Sequence, residues 1–248
     1  MDLDLDRVRA ELLSTGKLRA AINYGNPVLA QRGPQGEPRG VSVALAKAFA
    51  ERLHVELEFI PFEAAGKVVD AAAQGNWDIG FLAIDPMRAD QVSFTSPYVL
   101  IEGTYLVRND SPYSSVNQLD ADGVRIAVGK GAAYDLYLSR ALMHAELVRG
   151  PTSASAIELF LEDSLDAAAG VRQPLEAAAR QHSDLKVLPG YFTAIRQAMA
   201  TPAGNVAALS FLQAFIEEMK ASGFVAQALK ESGQGDATVA PAGDTAPV

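Results

Sequence analysis

The chain has 248 residues, of which 49% are hydrophobic, enough for one or two cored domains. Lys and Arg number 21 against 30 Asp and Glu, a net charge of −9 that disfavours nucleic acid or an anionic membrane as partner, though a local pocket can still be positive. There is no cysteine, which excludes disulfides, thiolate metal sites and thiol nucleophiles.

The opening segment, MDLDLDRVRAELLSTGKLRAAIN, is acidic and amphipathic and lacks the basic and apolar regions of a secretory signal. Two expectations stay open: a signal was removed and the protein is periplasmic, or it is cytoplasmic. LRAAIN reads as a strand, followed by a Gly- and Pro-rich loop from Gly25 to Gly40. Residues 41 to 53 place Val43, Ala46, Phe49, Ala50 and Leu53 on one helical face. VELEFI alternates as a half-exposed strand, and Gly66 to Gln74 reads as a helix that stops at Gly75.

Residues 75 to 98, GNWDIGFLAIDPMRADQVSFTSPY, read as strand, turn, one charged helical turn and strand. Asp85 and Pro86 suit an N-cap and first helical residue, which puts Arg88 near a helix start where backbone N–H groups point outward. A guanidinium beside free N–H donors suits a carboxylate; the alternative is a surface arginine paired with Asp85 or Asp90.

The alternation continues. TYLV and VRIAV are strands, GKGAAYDLYLSRAL a turn entering a helix, ELVRG a strand and SASAIELFLED a helix. DAAAG is a short strand, RQPLEAAARQ a helix, and DLKVL and FTAIRQAMA are strands. Gly204 to Ser222 is a long amphipathic helix and Phe224 to Glu231 a short one, and the Gly-, Ala- and Pro-rich residues 234–248 are expected to be disordered. Alternating strands and helices predict an α/β fold with mostly parallel sheets. No apolar run approaches the ~20 residues of a membrane span. His54, His144 and His182 lack metal-ligand spacing, no nucleophile-elbow motif appears, and no cofactor or metal is expected.

Gly75, Asp78, Pro86, Arg88, Ala89, Phe94, Thr95, Pro97 and Tyr98 together resemble the first-lobe motif of the bacterial extracellular solute-binding proteins, family 3, and the resemblance extends from about Leu18 to about Gly233. It implies a two-lobe type II periplasmic-binding fold: residues 1–101 and 198–233 in lobe one, 102–197 in lobe two, crossovers near Ile101 to Thr104 and Ala194 to Met199, and a tail from 234. It further implies a small carboxylate ligand in the cleft between lobes, hinge closure, a monomer, and the membrane subunits of an ABC importer as partner, with no nucleic acid. Two other readings remain: a lyase on the same scaffold, like the family's dehydratases of cyclic carboxylates, with Glu63, Asp85 or Glu102 as acid or base, and a cytoplasmic small-acid sensor.

Residue by residue, the resemblance makes Arg88 the carboxylate anchor. Ala83 and Asp85 stand where amino-acid receptors carry hydroxyls; Asp85 fits a cap better than a ligand contact. Gly131, Ala132 and Ala133 match a Gly-Thr-Thr turn whose N–H groups could hold an anion, or form an ordinary strand-to-helix turn. Gly170, counted from Asp166, stands where an acid often meets a ligand ammonium, which favours organic acids over α-amino acids. Arg172 either faces the cleft or, as the preferred reading, is solvated. Tyr24 and Asn26 occupy the place of an aromatic and polar wall, Tyr24 as a stacking surface or a cap on the sheet. Glu102 is a ligand contact or a hinge hydrogen bond.

Overall fold

In the computed structural model, which describes residues 5–244, the acidic start is a helix, α1 (Leu5–Leu12), that buries Val8 and Leu12. The chain divides into two units, Met1–Leu100 with Arg196–Val248, and Ile101–Ile195. In the first unit, β1 (Leu18–Asn23) is followed by a two-residue hairpin of β2 (Gln31–Arg32) and β3 (Pro38–Arg39). The helix α2 (Val41–Leu53) comes next, entered through Gly40 at φ 110°. A Cβ at Gly40 would lie 2.4 Å from the Leu29 carbonyl oxygen, so this turn requires glycine.

β4 (Leu57–Phe62) runs parallel to β1 from Leu18↔Leu57 to Asn23↔Phe62. α3 (Ala65–Ala72) packs Val68, Val69, Ala71 and Ala72 around Trp77, whose indole N–H donates to the Val68 carbonyl at 2.8 Å. β5 (Gly80–Ala83) continues a parallel bridge, Ala20↔Ile79. A 3-10 turn, Pro86–Arg88, leads into β6 (Val92–Arg108), within which the chain passes into the second unit.

The second unit carries β7 (Arg125–Gly129), α4 (Ala133–Ala141), β8 (Glu146–Gly150), α5 (Ser153–Glu162), β9 (Ala167–Val171), α6 (Arg172–Gln181) and β10 (Leu185–Val187). β8 and β9 both run parallel to β7, while β9 and β10 pair antiparallel with β6. Leu106, Phe160, Leu165, Ala168 and Leu175 form part of its apolar core. β11 (Thr193–Pro202) returns the chain to the first unit and pairs antiparallel with β5. There α7 (Val206–Ala221) and α8 (Phe224–Glu231) complete the packing, with Phe49 held between Phe211 and Phe215. Glu11 of α1 accepts the Ala208 N–H, placing a carboxylate at the start of α7, where the helix dipole favours it.

Residues 234–244 depart from the expected disorder. β12 (Thr238–Val239) pairs with Val99 and Leu100 of β6, and Ala237 and Ala240 are buried. The Lys220 ammonium donates to the Pro241 carbonyl, Glu217 accepts the Gly243 N–H, and Arg196 pairs with Asp244. Composition misleads here because backbone pairing needs few apolar side chains and α7 and β11 supply the polar partners. Residues 245–248 lie outside the described residues. Ending the chain at Gly233 is expected to lower stability by roughly 1–3 kcal/mol, the usual scale for a few lost buried contacts. A urea unfolding midpoint unchanged by this truncation would contradict that expectation.

Among the described residues no helix is long and apolar enough to cross a membrane.

Candidate functional site

In the first unit, β1, β4 and β5 run parallel, so their carboxyl ends share one edge of the sheet. Tyr24, Glu63 and the Asp85–Arg88 turn follow those ends directly. The carboxyl edge of such a sheet is where ligands are commonly held.

Asp85 is an N-cap: its carboxylate accepts the Met87 N–H at 2.9 Å and is buried. The cap fixes the turn that turns Arg88 inward, where the residue is only 2% exposed. The Arg88 Nη1 donates to the Ala83 carbonyl at 2.9 Å. Burial lowers the Arg88 pKa to about 10, opposed by the Asp85 carboxylate, so the guanidinium is still protonated at neutral pH. Ala83 therefore contributes its carbonyl; its methyl lies in the core and its strand pairs with Gln197.

Tyr24 is half-buried, with its N–H on the Phe62 carbonyl. The Arg32 guanidinium lies over its ring at 4.1 Å and pairs with Glu63. Burial raises the phenol pKa and Arg32 opposes the rise. Arg32 was not anticipated from sequence, where it is one residue of a Gly- and Pro-rich loop. Asn26 corrects its expectation: it is buried as a turn builder, accepting the Val28 N–H on Oδ1 and the Leu29 and Ala30 N–H groups on its carbonyl.

In the second unit, β7, β8 and β9 are parallel, and α4, α5 and α6 all begin at their carboxyl edge. Gly129 lets two of these segments meet, since a Cβ there would lie 2.8 Å from both the Ser153 nitrogen and the Tyr134 hydroxyl. Of the two readings of the Gly131–Ala133 turn, anion site or ordinary strand-to-helix turn, the internal hydrogen bonds fit the second. The Gly131 N–H donates to Asp135 at 2.8 Å and the Ala132 N–H to the Gly129 carbonyl at 3.0 Å. Asp135 is buried and also binds Arg149 Nε at 3.0 Å. Of the three matched positions, Ala133 alone keeps its N–H outside these turn bonds.

Gly170 does not stand at a ligand-facing position. Its Cβ would point at the Leu175 side chain, 3.0 Å away, on the same face as Ala168 in the apolar core. Strand alternation sends Ala169 and Val171 to the other face, and neither carries a charge.

Arg172 is not solvated: its side chain is 22% exposed, pairs with Glu102 and donates from Nη2 to the Gly190 carbonyl at 2.6 Å. Glu176 adds a longer contact at 3.7 Å. A cation at the first position of α6 opposes the helix dipole, and these acceptors offset the conflict. Glu102 thus serves an ion pair inside the second unit. The sequence reading also missed the ring of Phe192, which packs on Tyr105 at 4.7 Å and stacks on Tyr137 at 5.9 Å. Gly103 admits that ring, since a Cβ there would lie 2.8 Å from it. Among the described residues no group of three or more His, Asp or Glu is placed to hold a metal ion.

Comparisons with known proteins agree with this architecture. A solute receptor for L-cysteine from Neisseria gonorrhoeae superposes with a TM-score of 0.79 at 22% identity, covering 91% of this chain and 92% of that one. The amino acid ABC transporter substrate-binding protein AbpA from Streptococcus pneumoniae, solved with L-arginine, gives 0.77 at 22% identity, covering 90% and 97%. At these identities the likeness shows the fold, a type II periplasmic-binding fold. A membrane-bound lytic murein transglycosylase F from Saccharophagus degradans is 32% identical over 101 residues, 40% of this chain; the match spans a fifth of that relative's length (20%). The family model for bacterial extracellular solute-binding proteins, family 3, matches residues 18–233, and the chain belongs to that family.

Proposed function

We propose that the protein captures a small carboxylated solute outside the cytoplasmic membrane and delivers it to an ABC importer. The observation that carries this reading is Arg88, a buried and protonated guanidinium at the carboxyl edge of the first unit's parallel strands. The planar fork of arginine matches a carboxylate bidentately, and the turn that carries Arg88 stands at the sheet edge where ligands are commonly held. The importer assignment is supported by family membership and by the likeness to a pneumococcal transporter receptor.

Capture without chemistry is supported by the fate of the acids. Asp85 is spent on a cap, Glu63 on Arg32 and Glu102 on Arg172. The preference for organic acids over α-amino acids rests on the edge of β9, where Val171 supplies no counter-charge for an ammonium.

A thermal-shift screen of monocarboxylates, dicarboxylates and amino acids tests the reading. A ligand at 100 times its Kd stabilises by about 2.7 kcal/mol, which is several degrees for a chain of this size. The expected result is stabilisation by a small carboxylate that its amide or ester analogue fails to give. Stabilisation confined to uncharged or purely cationic compounds would overturn it.

A further inference from the structure

We propose that Arg32 sets the ligand class at the edge of the first unit: its guanidinium fills the face of Tyr24 and neutralises Glu63, so that this edge excludes cationic ligand groups. The inference deepens the carboxylate reading above and rests on it for the identity of the main ligand. Its own basis is a separate cluster.

Three elements converge in this cluster. Tyr24 follows β1, Glu63 follows β4, and β1 and β4 are parallel neighbours in register up to Asn23↔Phe62. Arg32 arrives from the β2–β3 hairpin, paired through Gln31↔Arg39 and Arg32↔Pro38 and tied back by Gln31 to the Pro27 carbonyl. The guanidinium sits 4.1 Å from the ring centroid and bonds Glu63 through Nη2. An aromatic face beside a carboxylate is the chemistry that recognises a planar cation. Here the chain supplies that cation itself. The Arg32 and Glu63 side chains are 51% and 55% exposed, so the cluster is open to exchange with small solutes.

The charge arithmetic gives the consequence. With Arg32 in place, Arg32 and Glu63 sum to zero and the ring is covered. Without it, Glu63 is a bare carboxylate beside a bare aromatic face, and a guanidinium or ammonium from solution takes the vacant place. Lysine at position 32 keeps the charge but not the flat stacking surface, so it restores exclusion in part.

The test uses ring-labelled tyrosine and methylguanidinium, a probe with no carboxylate, so its outcome is independent of whether the main ligand is an acid. The Tyr24 signal is identified by its loss in Tyr24→Phe. In Arg32→Gln and Arg32→Ala, methylguanidinium is expected to shift the Tyr24 ring resonances at concentrations about tenfold lower than in the parent protein. Arg32→Lys should fall between them, and adding Glu63→Gln to Arg32→Gln should abolish the gain. Because the side chain is half-exposed and outside the core, the variants are expected to fold with unchanged melting temperature. Equal titration curves for the parent and both Arg32 variants would overturn the proposal, as would a gain that survives Glu63→Gln.

Discussion

Replacing Arg88 with alanine is expected to weaken binding of the carboxylate solute by about 2–5 kcal/mol, the cost of removing one member of a buried charge pair. That is roughly a 30- to 4,000-fold rise in Kd. The expectation follows from burial. Arg88 is 2% exposed, its charge persists because its pKa is lowered only to about 10, and the Ala83 carbonyl fixes its orientation. Arg88→Lys should recover part of the loss, because it restores charge but not the two-pronged geometry. Alanine also removes the donor to the Ala83 carbonyl, so the unliganded variant should melt lower. Calorimetry on the folded variant separates the two effects: an unchanged Kd would remove Arg88 from the role of anchor, whatever happens to the melting temperature.

The part of the site that sequence made legible was the part fixed by local backbone rules. Asp-Pro at a turn announces a cap and a first helical position, and the cap forms between Asp85 and Met87. What stayed hidden depended on which way a side chain points. Gly170 sits on a strand, where one residue of register exchanges core for edge; its neighbour Leu175 decides the matter. The Gly131 turn left an anion site and an ordinary turn both open, because the carboxylate that fills it, Asp135, is four residues on, and its partner Arg149 lies on β8. Arg32 was invisible because its partners, Tyr24 and Glu63, come from separate segments joined by a parallel pairing.

The fold was more legible than the site because periodicity integrates over many residues. The apolar stripe of residues 41 to 53 became α2 and that of the long C-terminal helix became α7. The clearest failure in the fold was β6. Pro97 and Gly103 punctuate its sequence, and it read as two short strands, yet it is a single 17-residue strand. Glycine is admitted at 103 because the Phe192 ring fills the missing side-chain space. Residues 237–240 show the same limit in reverse: pairing with β6 imposes order on a stretch whose composition argues against it.

Asp78→Ala is expected to be the most destabilising of these substitutions, at about 3–5 kcal/mol, the scale for orphaning one member of a buried ion pair. Asp78 is the acid of the Gly75-to-Asp78 motif, and its role is structural. Its carboxylate accepts the Arg19 backbone N–H at 2.7 Å, Arg19 Nε at 3.1 Å and Nη2 at 2.6 Å. The side chains of Arg19 and Asp78 are 14% and 6% exposed, and the Asp78 hydrogen bond raises the Arg19 pKa. Without the carboxylate, Arg19 keeps the Gly75 carbonyl and the Ser14 hydroxyl but loses the acceptor that holds its backbone N–H, Nε and Nη2 in a site only 14% exposed. Since a domain holds only about 5–15 kcal/mol in reserve, the variant should be close to marginal. Replacing both partners with apolar residues, Arg19→Met with Asp78→Leu, should recover much of the loss, because no charge is then buried alone. The pair ties β1 to the turn that precedes β5, and so to the parallel register that brings Tyr24 and Arg88 to one edge. In Asp78→Ala the number of binding-competent molecules should therefore fall with the folded fraction, while the Kd of the folded remainder stays that of the parent. Urea unfolding of the two single variants and the double variant decides it: a loss under about 1 kcal/mol for Asp78→Ala, or no recovery in the double variant, would show that the pair does not carry the register.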